Sequence, residues 1–415
     1  MSEQSIIPLK AKSVAAQITL YLFFATIFFT GSMKYLAGSL LAATIVAALI
    51  ASPASAQVMR ENLSFTKMYA YLCSAFLVIV ALNILLGRAD WEGYGLLITF
   101  PTAFLIAMAI SQHTKTAGLD LYKKLVATSS AHSALLIIVS FAQVYIFNKP
   151  TAHGDIGQIG FAHMMTISGG VTAIWLFQKV RSAPTAGHLL LLLGWLLALI
   201  YSVHMTGTRG AIIVFIPFLL GLILINLKDS RGVAVRAIPV LLLALAVLTA
   251  LIAGSDKFAR GFSELSQNIE SQVYVGSAGY RLGMWAEAWK LILERPITGH
   301  GLLQFNNITS LPDTVPYKRF NHVHNQFLDV WMKAGIGGLI FICALLALPV
   351  IVGIKLFIND ISPNVGLTLI YLGGSYFVLG LTEVYLEKPD ATVLLATYVP
   401  MLLVFADRKM NSSSR

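Results

Sequence analysis

The chain has 415 residues, 57% hydrophobic and 12% charged, with a mean hydropathy of +0.76. A soluble domain carries about a quarter charged residues, so a water-facing domain is excluded and a polytopic membrane protein is indicated. The net charge of +10 comes without Arg-rich nucleic-acid motifs and fits basic loops on an anionic leaflet, while Cys73 and Cys343, both inside apolar runs, exclude a disulfide framework and a CxxC zinc site.

A membrane-spanning helix needs roughly 20 mostly apolar residues. Such stretches fall in chain order at 15–32, 35–52, 67–86, 93–111, 125–147, 161–179, 187–204, 209–227 and 236–254, then at 324–357, 365–384 and 391–406. The stretch 324–357 is too long for one straight span and too short for two, and reads as one tilted or broken helix. The count is about twelve spans in an all-α chain. The segment "ASPASAQ" at 51–57 looks like a signal-peptidase site but follows two apolar runs instead of the N-terminus, so no cleavage is expected. Three parts emerge: spans one to nine in 1–254, a polar segment at 255–322, and the last three spans with a short tail in 323–415.

Lysine and arginine in the short loops orient the chain. With the N-terminus in the cytoplasm, sixteen lie inside and five outside, the latter being Lys34, Arg88, Lys149, Arg209 and Lys388. Both termini are then cytoplasmic and 255–322 is a large periplasmic loop. Within it, "GYRLGMWAEAWKLILERPITGHG" (279–301) reads as a helix ended by Pro296, with Trp285 and Trp289 expected near the lipid interface.

Three outer-face stretches carry residues of chemical interest. In "KRFNHVHNQFLDVWMKAGIGG" (318–338), Asn321 is a plausible N-cap, which would put His324 in the first turn of a helix. The helix dipole there disfavours imidazolium, and a neutral imidazole is what a general base requires. His322 and His324 are two apart, so on a helix they diverge. Only Asp329 stands near as a third ligand, and a metal site is disfavoured against an interfacial histidine. In "HMTGTRGAIIVF" (204–215), a tight turn precedes Arg209 at a helix start, an arrangement suited to phosphate or to lipid headgroups. In "GYRLGMW" (279–285), Arg281 begins the loop helix, as an anion ligand or a solvated charge. Arg88 and Lys34 are second-tier phosphate contacts, His322 a secondary site residue, and "GHG" (299–301) a flexible turn in preference to a catalytic His300. Asp329 and Glu383, near helix ends, are nearly the only carboxylates of the spans, which disfavours an ion-coupled transporter or flippase. No DxD-like pair is present to hold Mg²⁺.

The spacing His324-Asn325, nine residues, Gly335, two residues, Gly338 resembles the motif of the bacterial O-antigen ligases and their relatives, the O-antigen polymerases and protein O-oligosaccharyltransferases. The late large loop and the "PITGHGLLQF" turn resemble that family as well. The resemblance implies a GT-C-like inner-membrane glycosyltransferase, inverting and without metal or nucleotide cofactor. It would join O-antigen polysaccharide from undecaprenyl diphosphate to lipid A–core at a periplasmic site. His324 would be its base and Arg209 and Arg281 its diphosphate ligands. Polymerase and protein O-glycosylation activities are the alternatives, with a twelve-helix transporter more remote.

Overall fold

The computed structural model describes residues 63–89, 103–112, 120–154, 157–227, 234–271, 274–385 and 389–413, with Glu61, Lys115 and scattered positions between 14 and 47. The spans expected at 15–32 and 35–52, most of that at 93–111, and Lys34 fall outside these residues. Among the described residues the regular structure is helical, with one isolated bridge between Ala89 and Leu302.

Most helices follow the apolar stretches of the sequence, while Asp256–Ser271 and Gly276–Glu294 lie in the polar segment 255–322. They are α1 (Ser64–Leu85), α2 (Ala103–Gln112), α3 (Leu121–Phe141, extended by a π-helical turn at Ala142–Ile146), α4 (Gly157–Ser182) and α5 (Ala186–Met205). Next come α6 (Arg209–Leu227), α7 (Ile238–Ala253), α8 (Asp256–Ser271), α9 (Gly276–Glu294), α10 (Gln326–Ile358), α11 (Pro363–Gly380) and α12 (Pro389–Ser413). Six of them are long and apolar enough to cross a membrane, and α7 with α8 forms a pair bent by 60°. The chain is an all-α polytopic membrane protein.

Small residues draw the spans together, as expected where lipid removes the hydrophobic drive for helices to associate. A Cβ on Gly353 of α10 would lie 2.5 Å from the Gly366 carbonyl of α11, and one on Gly366 2.7 Å from the Gly353 carbonyl. The backbones therefore touch, and α10 and α11 form a close antiparallel pair. Of the candidate spans among the described residues α4 is the most buried, with the Tyr371 hydroxyl of α11 donating to the Thr166 carbonyl at 2.6 Å. The start of α1 is capped from the far end of the chain, where Asp407 accepts from the N–H groups of Phe65 and Thr66.

The long tenth span is one broken helix. Gly335 adopts φ 69°, ψ −167°, and the carbonyls freed there are taken up by the 296–301 turn. His300 N–H donates to Met332 and Gly301 N–H to Lys333, each at 2.9 Å, while Ile336 N–H donates to Pro296 at 2.9 Å. The turn read as flexible is thus anchored on backbone groups that must be paired inside protein. A Cβ at Gly335 would sit 1.9 Å from the Ile297 carbonyl oxygen. Gly335→Ala is therefore expected to lower Tm by several degrees or more, since positive φ with extended ψ is essentially glycine-only and costs another residue about 1–3 kcal/mol. Gly337→Ala, whose Cβ would meet only the Ile79 side-chain tip at 3.1 Å, should change Tm little. Thermal unfolding in detergent compares the two.

Helix α9 and the turn build a second, smaller core of Met284, Ala288, Leu291, Ile292, Phe305, Val323 and Met332. Trp285 belongs beside it, its indole N–H donating to the Val323 carbonyl at 2.9 Å, so it anchors α9 to the histidine segment. Trp289 is the exposed member of the pair, edge-on to Trp331.

Candidate functional site

The site is assembled where the start of α6, the start of α10 and the end of α11 meet the loop helix α9. The His322–His324 segment is not helical. His324 has φ 52°, and the N-cap of α10 is Asn325, one residue on, instead of Asn321. The Asn325 carboxamide oxygen accepts from Phe327 and Leu328 N–H at 3.1 Å each, and its amide donates to the Leu381 carbonyl at 3.3 Å. This cap therefore pins the start of α10 to the chain segment that carries Glu383.

Glu383 is the centre of the arrangement. It is buried, and its carboxylate lies 3.3 Å from His324 Nδ1 and 3.6 Å from His322 Nε2. A carboxylate only accepts hydrogen bonds, so it places the proton of a neutral His324 on Nδ1 and leaves Nε2 with its lone pair. His322 Nδ1 accepts from the His324 backbone N–H at 3.4 Å, which sets the other His322 nitrogen toward Glu383. The His324 ring is held edge-on between Phe320, at 5.4 Å, and His322, at 4.4 Å. Val323, between the histidines, is fixed from both sides, its N–H donating to Asp329 and its carbonyl accepting from Trp285. Asp329 is taken up by this contact and by a buried ion pair with Lys333 at 3.0 Å.

Arg209 opens α6 after a turn in which Gly207 adopts φ 70°. Its guanidinium donates to the Lys257 carbonyl at 3.0 Å and lies across Gly261, where a Cβ would come within 1.8 Å of Nη1. The next residue, Gly210, packs its Cα against the Thr382 hydroxyl. Arg281 sits in the second turn of α9, which begins five residues earlier than Arg281 itself, at Gly276. Trp285, one turn further along the same face, ties α9 to the histidine segment. Burial pulls the Arg281 guanidinium below its ordinary value; the Glu383 carboxylate opposes this and Arg209 adds to it. It remains cationic at neutral pH. Arg209, Arg281 and Glu383 line one polar cavity of about 190 Å³, together with Gln158, His163, Thr208, Ser277 and Thr382.

Other residues singled out in the sequence lie elsewhere. Arg88 donates from its guanidinium to the Gly299 carbonyl at 2.5 Å, and its own carbonyl accepts from Leu302 N–H at 2.6 Å, so it braces the 296–301 turn. His300 Nε2 meets the Leu291 carbonyl at 2.7 Å, at the base of the same turn. Glu383, His163 and Thr382 join the site with no motif of their own. The signal for Glu383 was its type, a carboxylate kept at a helix end in a chain whose spans almost lack them.

His322, His324 and Glu383 each offer one ligand atom within 4.8 Å of the others, enough for a metal ion. The Arg281 charge beside Glu383 works against a cation bound to the same carboxylate.

An uncharacterised protein of Haemophilus influenzae is 26% identical over 221 residues, covering 50% of this chain and 54% of that protein. The chain thus spans about half the length of this curated relative. Residues 194–343 match the O-antigen ligase family, a stretch that contains Arg209, Arg281, His324, Gly335 and Gly338. Over this stretch the chain is similar to the O-antigen ligase family.

Proposed function

We propose that the protein transfers O-antigen polysaccharide from undecaprenyl diphosphate to a sugar hydroxyl of lipid A–core, with His324 as general base. The observation that carries this reading is the His324–Glu383 pair beside the cavity of Arg209 and Arg281. His324 Nε2 takes the proton of the acceptor hydroxyl as its oxygen bonds the anomeric carbon. The bond from that carbon to the diphosphate oxygen breaks, and the electron pair leaves with the lipid diphosphate. Its growing charge falls to Arg209 and Arg281, in a setting partly screened from water. Glu383 holds the imidazole in the basic tautomer and stabilises the imidazolium that forms, as a buried carboxylate does for other histidine bases. Arg88, which braces the 296–301 turn, has no part in this scheme.

The sixteen-to-five loop charge bias supports cytoplasmic termini and a periplasmic site in a bacterial inner membrane, with 255–322 as the loop domain between the nine-span and three-span parts. The starts of α4 and α6 and the segment after α11 line the cavity, and His324 before α10 meets it through Glu383, as antiparallel spans meeting at one membrane face would.

The test is reconstitution of the purified protein in liposomes with lipid-linked polysaccharide and lipid A–core. Capping of the core supports ligation. Growth of the unlinked donor in its place assigns polymerase activity, and transfer to an added protein acceptor assigns protein O-glycosylation. Transfer is expected to persist in EDTA. Loss that Zn²⁺ or Mn²⁺ restores would make the His322–His324–Glu383 trio a metal centre.

A further inference from the structure

Arg209 faces a second cavity on the other side of the 206–209 turn. It is larger, about 400 Å³, and shares Gly207, Thr208 and Arg209 with the first. Its charged lining is Arg209, Lys257, Arg260 and Asp256, an excess of two positive charges before His204 is counted. Lys257 is exposed and reaches back over Gly207, where a Cβ would come within 2.2 Å of its Nζ. Among the described residues none of the three cations forms an ion pair within 4 Å. Opposite them stand Tyr145 and Tyr201, which share a hydroxyl–hydroxyl hydrogen bond and present flat faces, Tyr201 stacking on His204.

Cations gathered in a concave site call for an anion, and tyrosines offer a flat apolar face and a hydrogen-bonding hydroxyl. We infer that this second cavity is a subsite for a phosphorylated sugar, with Lys257 and Arg260 on the phosphate and Tyr145 and Tyr201 on the ring. The inference rests on the reading that a saccharide is transferred next door, since Arg209 forms the wall between the two cavities. The sugar belongs either to the acceptor glycolipid or to the saccharide of the donor.

Two measurements test it. Saturation-transfer NMR on the full-length protein in detergent micelles compares glucose 6-phosphate with glucose. Signal for the phosphate ester well above that for glucose, lost in Lys257→Met and kept in His324→Asn, is the expected result. Equal signals, or a signal untouched by Lys257→Met, overturn the subsite whether or not transfer occurs. In the reconstituted reaction, Lys257→Met should raise KM about tenfold for one substrate with kcat little changed, the size of one charge-assisted contact. A rise for the acceptor that phosphatase treatment of the acceptor abolishes assigns the phosphate to the acceptor. A rise for the donor alone assigns it to the donor. An unchanged KM for both overturns the proposal, whereas absence of transfer by the wild type overturns the reading of the neighbouring site instead.

Discussion

His324→Asn is expected to lower kcat for transfer by about 10²–10⁴-fold, the range that a positioned general base contributes. Asparagine is the informative replacement because His324 holds φ 52°, a left-handed conformation that asparagine tolerates and alanine does not. The variant should keep the wild-type Tm, so the loss reports chemistry and not folding. Glu383→Gln should give a smaller loss, because the carboxamide still bonds Nδ1 but no longer compensates the imidazolium. The double variant should be scarcely slower than His324→Asn alone, since a positioning residue has nothing to act on once the base is gone. Additive losses would separate Glu383 from His324, and full transfer by His324→Asn would remove the base assignment altogether.

Loss of either arginine is expected to cost roughly 10²–10³-fold in kcat, the scale seen when one donor to a developing oxyanion is removed. The two variants should differ in a second respect. Arg209 is fastened to the Lys257 carbonyl and Gly261, so Arg209→Met removes a ligand and a strut of α8 together. The Arg281 charge and the Glu383 carboxylate attract each other, so Arg281→Met leaves a buried carboxylate with less compensation and should also lower Tm. Adding Glu383→Gln to Arg281→Met should restore Tm but not transfer. Arg→Lys at either position should rescue poorly, because an ammonium cannot present the planar fork that grips a diphosphate. Lipid diphosphate protection of the wild type in thermal unfolding, absent in both Met variants, gives a readout apart from turnover. Undiminished transfer by both variants would leave the diphosphate without its proposed ligands.

The sequence by itself determined most of the apolar helices among the described residues and the residue types in the polar stretches between them. Long apolar runs need no tertiary partner to declare themselves, because a bilayer demands about 20 such residues per span. The glycines of the His-Asn-x9-Gly-x2-Gly spacing were also legible, although their reason was not. Gly335 is where α10 breaks to receive the 296–301 turn, and Gly338 packs against Val330 and Ala334 within the same helix. Tertiary structure decided the rest. Asn321 and Asn325 are equally good caps on residue type, and only the fold, with Asn325 bridging to Leu381, chose between them and moved His324 off the helix. Arg281 and, in second rank, Arg88 were both candidate phosphate contacts, yet Arg88 braces a turn and Arg281 lines a cavity. Glu383 lies 59 residues beyond His324. It reaches the imidazole because two glycine faces let α10 and α11 pack backbone to backbone and bring the start of one to the end of the other. Periodicity records which face of a helix is apolar, but which helix ends meet is set by that packing.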